Sequence, residues 1–153
     1  MIPFRSQPPA PRLAEGYRLL DSPGPEPDAL NRLLTLMGDP PRSPERWGRV
    51  LERSLWHFGV IAPGGQLVGF VRITSDLALN ANLWDLAADP TDPEERSVLL
   101  MLVYAALTRL RRELGGCSIS LSAPPAALEA LKHHGFMVDP GGIRAMGLDL
   151  VQR

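Results

Sequence analysis

Apolar positions recur at two spacings along this chain, every second residue and every third or fourth, and the order of those stretches predicts an α/β domain. Tyr17 to Leu20 reads as a short strand closed by Asp21-Ser22-Pro23-Gly24. Leu30, Leu33, Leu34 and Met37 share one helical face and stop at Gly38, a residue suited to leaving a helix. Ser43-Pro44-Glu45 supplies a capping hydroxyl, a proline in the first turn and an early acid. A second helix is therefore expected, with Trp47, Val50, Leu51 and Leu55 facing inward. Trp56 to Ile61 and Gln66 to Thr74 flank Pro63-Gly64-Gly65 and predict a hairpin. Asn82 to Ala88 makes a further strand, ended by Asp89-Pro90.

Thr91-Asp92-Pro93-Glu94-Glu95 opens the longest helix, expected to run to Leu114. Residues 98 to 107 are apolar on every side, which predicts a helix buried around most of its circumference. Cys117 to Leu121 reads as a strand and Pro124 to His134 as a helix ended by Gly135. Phe136 to Val138 and Ile143 to Leu150 read as two last strands around Asp139-Pro140-Gly141-Gly142. Pro3, Pro8, Pro9 and Pro11 make the first dozen residues a poor helix and a poor strand. Residues 1–15 are thus expected as a flexible proline-rich arm, open to a partner that binds polyproline, and residues 16–153 as one folded domain.

Composition narrows the function. With 153 residues, 44% of them hydrophobic, the chain has material for one domain and a real core. A net charge of −1 excludes a sequence-independent grip on nucleic acid. The ten-residue apolar run Val98 to Leu107 is far shorter than the roughly 20 residues that cross a bilayer, so no membrane association is expected. The first residues lack the apolar stretch of a secretory signal, and a cytoplasmic protein is expected. Cys117 is the single cysteine, so neither an internal disulfide nor a cysteine metal knuckle is available; an inert buried thiol is expected. No His, Asp and Glu cluster has metal spacing, and no metal is expected. His133 and His134 close a helix, where a partly positive ring would stabilise the dipole. Lys132 is the only lysine beside fifteen arginines, a bias of composition.

Few side chains carry candidate chemistry. Asp85 alternates with Trp84 and Leu86, which places it on the opposite face from both, either as a base in a cleft or as a partner for Arg72. His57 lies on a strand between Trp56 and Phe58, where a structural hydrogen bond is the expected role. Ser118, Ser120 and Ser122 share one face of a strand, and Ser122 also suits the cap of the following helix. Arg42, Arg46, Arg49 and Arg53 form one helical stripe, with Glu45 placed to pair with Arg49. The stripe is either a solvated face or a dock for an acidic partner or anionic ligand.

The order strand, helix, helix, three strands, long helix, strand, helix, two strands resembles the GNAT superfamily of acyl-CoA-dependent N-acyltransferases over about residues 16 to 151. Ala127-x3-Leu131-x3-Gly135-Phe136 is similar to the tail of that family's last helix. The resemblance implies a mixed, mostly antiparallel sheet with helices on both faces. It also implies an acetyl-CoA site where the fourth and fifth strands splay, with Leu86, Ala87 and Ala88 on the pantetheine and Arg96, Ser97 and Val98 at the pyrophosphate. Asp85 would then be the candidate base, and Arg46, Arg49 and Arg53 would lie toward the acceptor. Two departures stand out. No glycine occurs between Gly69 and Gly115, so the family's glycine-rich phosphate loop is absent, and Leu99 and Met101 stand where it would run. The carboxylates of Asp92, Glu94 and Glu95 are expected to satisfy the helix end themselves and to repel a diphosphate. The family's frequent tyrosine acid falls on Leu131, and a frequent asparagine falls on Pro124. Two readings follow: transfer of an acetyl group to a small-molecule or protein amine, or an inactive binding module that acts through the Arg stripe, the arm or a homodimer.

Overall fold

The computed structural model describes residues 8–150 as a five-stranded sheet covered by helices on both faces, the expected mixed α/β class. β1 (Arg18–Asp21), β2 (Trp56–Ile61), β3 (Leu67–Ser75) and β4 (Asn80–Ala88) are antiparallel neighbours in that order, and β5 (Ser118–Ser120) joins β4 in parallel. α1 (Pro27–Thr35) and α2 (Pro44–Arg53) separate β1 from β2. α3 (Glu95–Glu113) makes the crossover from β4 to β5, and α4 (Leu128–His133) follows β5 through a 3₁₀ turn at Pro125–Ala127.

Each face of the sheet carries its own core. On one, α3 and α4 bury Val98, Leu102, Ala106, Leu110 and Leu131 against Val60, Val71, Ile73 and Leu83. α3 approaches β3 so closely that a Cβ on Gly69 would lie 2.4 Å from Cγ1 of Val98. On the other, Leu30, Leu33 and Leu34 of α1 and Trp47 of α2 cover Leu67, Phe70 and Ala87. The apolar spacing of both helices is thus explained by burial, and Ser43 accepts the Arg46 N–H as the expected cap. Asn31 joins the two helices, since its Oδ1 accepts from the Trp47 indole at 2.8 Å and from the Arg42 N–H at 2.9 Å.

Several boundaries differ from the sequence reading. α3 starts at Glu95 rather than Pro93, because Asp92 accepts the Glu94 N–H and the Tyr17 hydroxyl and so fixes a turn before the helix. Its first turn has no side-chain cap. The helix read over residues 124–134 is a 3₁₀ turn and then only six α-helical residues, and Ser122 does not cap it. The two last strands do not form: residues 136–138 carry no ladder, and residues 143–150 pair with no strand among the described residues. Asp139 (φ +45°), Gly141 (φ +64°) and Gly142 (φ +78°) build a 3₁₀ turn between them, and three residues on one side of it offer too few hydrogen bonds to hold a hairpin.

Residues 1–7 of the expected arm lie outside the described residues. Residues 8–14 contain neither helix nor strand, yet Leu13 packs against the larger core. Cys117 is half-buried. His134 is buried between α3 and α4, with Nε2 3.2 Å from the Leu100 carbonyl, and does not present a charged ring to the helix end. Burial, with smaller contributions from His133 and Arg111, pushes its pKa down, against a weaker upward pull from that carbonyl. No helix among the described residues is long and apolar enough to cross a membrane.

Candidate active site

The opening between β4 and β5 is built by a mismatch in length. Their parallel pairing covers only Asn80–Ser118, Ala81–Ile119 and Asn82–Ser120, after which β4 continues alone to Ala88. From Leu83 onward the β4 edge that faces β5 has no strand partner among the described residues, although Leu86, Ala87 and Ala88 are buried and line neither cavity beside the opening.

A bulge sits inside this free stretch. β3 and β4 pair Arg72 with Trp84 and Phe70 with Ala87, so Val71 faces two residues, Asp85 and Leu86. Asp85 takes φ +54°, a left-handed conformation that costs an L residue about 1–2 kcal/mol. The extra residue reverses the strand's phase. Ala81 and Leu83 face α3 before it, Leu86 and Ala88 face α3 after it, and Trp84 is left 41% exposed on the other face. The alternation expected for Trp84, Asp85 and Leu86 therefore fails. Asp85 is not a free base in the cleft: its Oδ2 lies 2.6 Å from Nε of Arg72, and it lines neither cavity beside the opening. The Arg72 guanidinium also lies 5.6 Å from the Trp84 ring, whose indole N–H donates to Thr74 Oγ1.

The N-terminus of α3 closes one end of the opening. The Val98 N–H donates to the Glu94 carbonyl, which removes Val98 from the anion-binding groups expected there. Among the described residues, the N–H groups of Arg96 and Ser97 find no backbone acceptor. They form the positive end of a 19-residue helix. Leu99 does not block them. It turns into the larger core and forms one wall of a cavity of about 220 Å³, with Ala126 and Ala130 opposite. Arg96 reaches across that cavity to Glu129, 2.9 Å away, in a pair whose side chains are each 75% exposed. Leu131, at the position of the family's frequent acid, is buried and has no proton to give.

Where β4 and β5 part, a second cavity of about 480 Å³ opens between residues 82–84 of β4 and residues 119–123. Asn82 and Trp84 of β4, Ser120 and Ser122, Lys132 of α4 and the Asp139–Arg144 ion pair supply its polar lining, with Leu121, Leu131 and Phe136 among its apolar walls. Ser120 donates to Asn82 Oδ1 at 2.7 Å, whereas Lys132 is exposed. No local pattern singles out Trp84 or Lys132 as site residues; their significance comes from the bulge and from the cavity.

The remaining candidates lie elsewhere. His57 Nε2 accepts the Gly24 N–H at 3.0 Å, so its lone pair is engaged, and burial holds its pKa down against the opposing pull of Asp21. Arg46, Arg49 and Arg53 are exposed on α2, while Arg42 packs on the Trp47 ring. The expected Glu45–Arg49 pair is not among the ion pairs of the described residues. Nor do three His, Cys, Asp or Glu side chains form a group that could hold a metal ion among those residues.

A mostly antiparallel sheet that parts between its fourth and fifth strands, with a long helix pointing its N-terminus at the gap, is the arrangement that the GNAT resemblance implies. The known proteins that this chain resembles agree. Serotonin N-acetyltransferase 2, chloroplastic, of Oryza sativa subsp. japonica is 33% identical over 131 residues, which are 82% of this chain and 63% of that protein. Uncharacterized N-acetyltransferase ycf52 of Gracilaria tenuistipitata var. liui is 38% identical over 80 residues, 52% of this chain and 43% of that one. The chain thus spans less than two thirds of the length of these curated relatives. Among solved structures, a probable acetyltransferase of unknown function from meticillin-resistant Staphylococcus aureus superposes with a TM-score of 0.73 at 16% identity, over 87% of this chain and 98% of that one. An acetyltransferase of Trypanosoma brucei gives 0.66 at 18% identity, over 88% and 99%. No family model matches the chain. The chain has the fold of GNAT acetyltransferases, and the curated proteins similar to it in sequence carry the name N-acetyltransferase.

Proposed function

We propose that this chain is an N-acetyltransferase that moves an acetyl group from acetyl-CoA to the amine of a small acceptor. The observation that carries the reading is the unpartnered β4 edge from Leu83 to Ala88, which ends beside two free N–H groups at the start of α3. Both features fit acyl-CoA: an extended backbone edge suits the amides of a pantetheine arm, and a helix N-terminus suits a diphosphate. Leu86, Ala87 and Ala88 would hold the arm by their backbone, and the Arg96 and Ser97 N–H groups with the Arg96 guanidinium would hold the phosphates. Val98 serves the site only by fixing α3 against Gly69.

Acetyl-CoA, when bound, supplies an activated thioester carbonyl. The chain's part is to position the amine, since His57 and Asp85 are both engaged and Leu131 offers no acid. The larger cavity is the acceptor site in this reading, with the exposed Trp84 ring as a platform and Asn82 and Ser120 as orienting groups. The rice relative's name points to an arylalkylamine, and a partly apolar cavity beside an indole suits an amine with an apolar body. The exposed guanidinium groups of Arg46, Arg49 and Arg53 suit an acidic partner outside that cavity.

Calorimetric titration with acetyl-CoA and with free CoA tests the reading. Saturable binding is expected, weakened about tenfold by Arg96→Ala, the loss of a charge-assisted hydrogen bond. A wild-type protein that takes up neither compound at millimolar concentration would overturn it.

A further inference from the structure

We infer that Arg72 is a positioning residue for the acyl-CoA opening, because its ion pair with Asp85 holds the β4 bulge that sets the phase of Leu86, Ala87 and Ala88 along the unpartnered edge. The inference rests on the acyl-CoA reading of that gap and assigns a task to two side chains which that reading leaves idle.

Asp85 occupies a left-handed backbone conformation that is uncommon for L residues, though aspartate enters it more readily than most. The surroundings here are specific. Arg72 stands opposite Trp84 in the β3–β4 ladder, one residue before the bulge. Its Nε donates to Asp85 Oδ2 at 2.6 Å, with only 18% of either side chain exposed. The guanidinium is in turn packed against Trp84, whose indole N–H is tied to Thr74. Asp85 is therefore gripped from the neighbouring strand, on the face away from α3, by a side chain that is itself braced.

Without the bulge, β4 would continue in its first phase. Leu86 and Ala88 would turn away from the α3 core, and Ala87 would turn into it. The direction of the backbone groups along the free edge would change with them. β4 leaves β5 after Asn82, so no second strand corrects such a slip. The Arg72–Asp85 pair is the side-chain restraint at the bulge end of the three residues that would meet the pantetheine, and Asp89, bonded to Thr91 and Arg32, holds their other end.

Glycine separates this role from a merely structural one. It adopts φ +54° without help, so a chain carrying Asp85→Gly keeps the bulge whether or not Arg72 is present. Arg72→Met, Asp85→Gly, Arg72→Met/Asp85→Gly and Arg72→Met/Asp85→Ala are compared by acetyl-CoA titration and by amide hydrogen exchange at Leu86, Ala87 and Ala88. Arg72→Met is expected to weaken acetyl-CoA binding roughly tenfold or more and to speed exchange at those amides. Adding Asp85→Gly should restore both, and adding Asp85→Ala should restore neither. Wild-type behaviour of Arg72→Met, equal rescue by glycine and alanine, or no rescue by glycine would each overturn the inference. If Arg72→Met does not fold, recovery of folding by Asp85→Gly alone supports the lock, and recovery by both or by neither overturns it. A wild-type protein that does not bind acetyl-CoA defeats the reading of the gap, while the exchange pattern still decides on the lock.

Discussion

The two sides of β4 obey different rules. Toward β3, the sheet is closed: ladders run through β1, β2 and β3, and helices cover both faces. Toward β5, three pairs of residues hold the sheet together, and the chain beyond α4 finds no strand partner among the described residues. Residues in the two regions read alike in sequence, since β3 and residues 143–150 are both rich in apolar residues. Yet Phe70, Val71 and Ile73 are fully buried, whereas Ile143, Met146, Leu148 and Leu150 are 72–96% exposed. The difference shows that an apolar pattern specifies structure only where another surface is in reach, and that the cleft of this fold lies where such surfaces run out.

Substitutions on the two sides put that contrast at risk. The largest effect is expected for Trp47→Ala, which empties the smaller core and leaves Asn31 without its indole donor, at about 3–5 kcal/mol in chemical denaturation. Met146→Ala on the open side should change stability by less than about 0.5 kcal/mol. Comparable losses from the two would mean that the tail is packed in solution. Gly69→Ala comes next: its Cβ would collide with Val98 and, at 3.0 Å, with Leu102, and a loss of about 1–3 kcal/mol is expected with α3 pushed off the sheet.

Acid supplies a smaller probe of the same boundary. His57 and His134 both have pKa values lowered by burial, so the folded state keeps them neutral while the unfolded chain protonates near pH 6.5. Their contribution is fully present above that unfolded value and is lost as pH falls through 6.5 toward the lower folded values. The melting temperature should therefore drop on that side before carboxylates titrate, and His134→Gln should flatten the drop. An unchanged slope in the variant would remove His134 from the account. The smallest expected effect is at the mouth of the gap. Glu129 competes with an anion for Arg96, so Glu129→Gln should tighten acetyl-CoA binding by roughly two- to five-fold at low salt, and Arg96→Ala should abolish the gain. A gain that survives Arg96→Ala would point to long-range charge instead.

Much of the fold was legible because its signals are local. Ser43, Gly38 and the Leu30-Leu33-Leu34 face each act within a turn or two, and the inward face of Trp47 was read from spacing of the same kind. The site was harder to read. The bulge at Asp85 is a relation between two strands, invisible in the spacing of either, and it reversed the faces assigned to Trp84 and Leu86. Val98 looked like an anion ligand by position, but its N–H is tied to the Glu94 carbonyl. The carboxylates before α3 suggested a sealed helix end; Asp92 takes the Tyr17 hydroxyl, 75 residues away, and the Glu94 N–H, and among the described residues the Arg96 and Ser97 N–H groups find no backbone acceptor. Such outcomes depend on contacts between distant residues, which no local pattern encodes.

Lys132 has a practical consequence. It is the single lysine of the chain and stands at the rim of the larger cavity, so an amine-reactive fluorophore has one side-chain target, already at the place of interest. With reaction at the α-amino group accounted for, a label on Lys132 needs no engineered cysteine, and its emission would report on whatever enters beside Trp84.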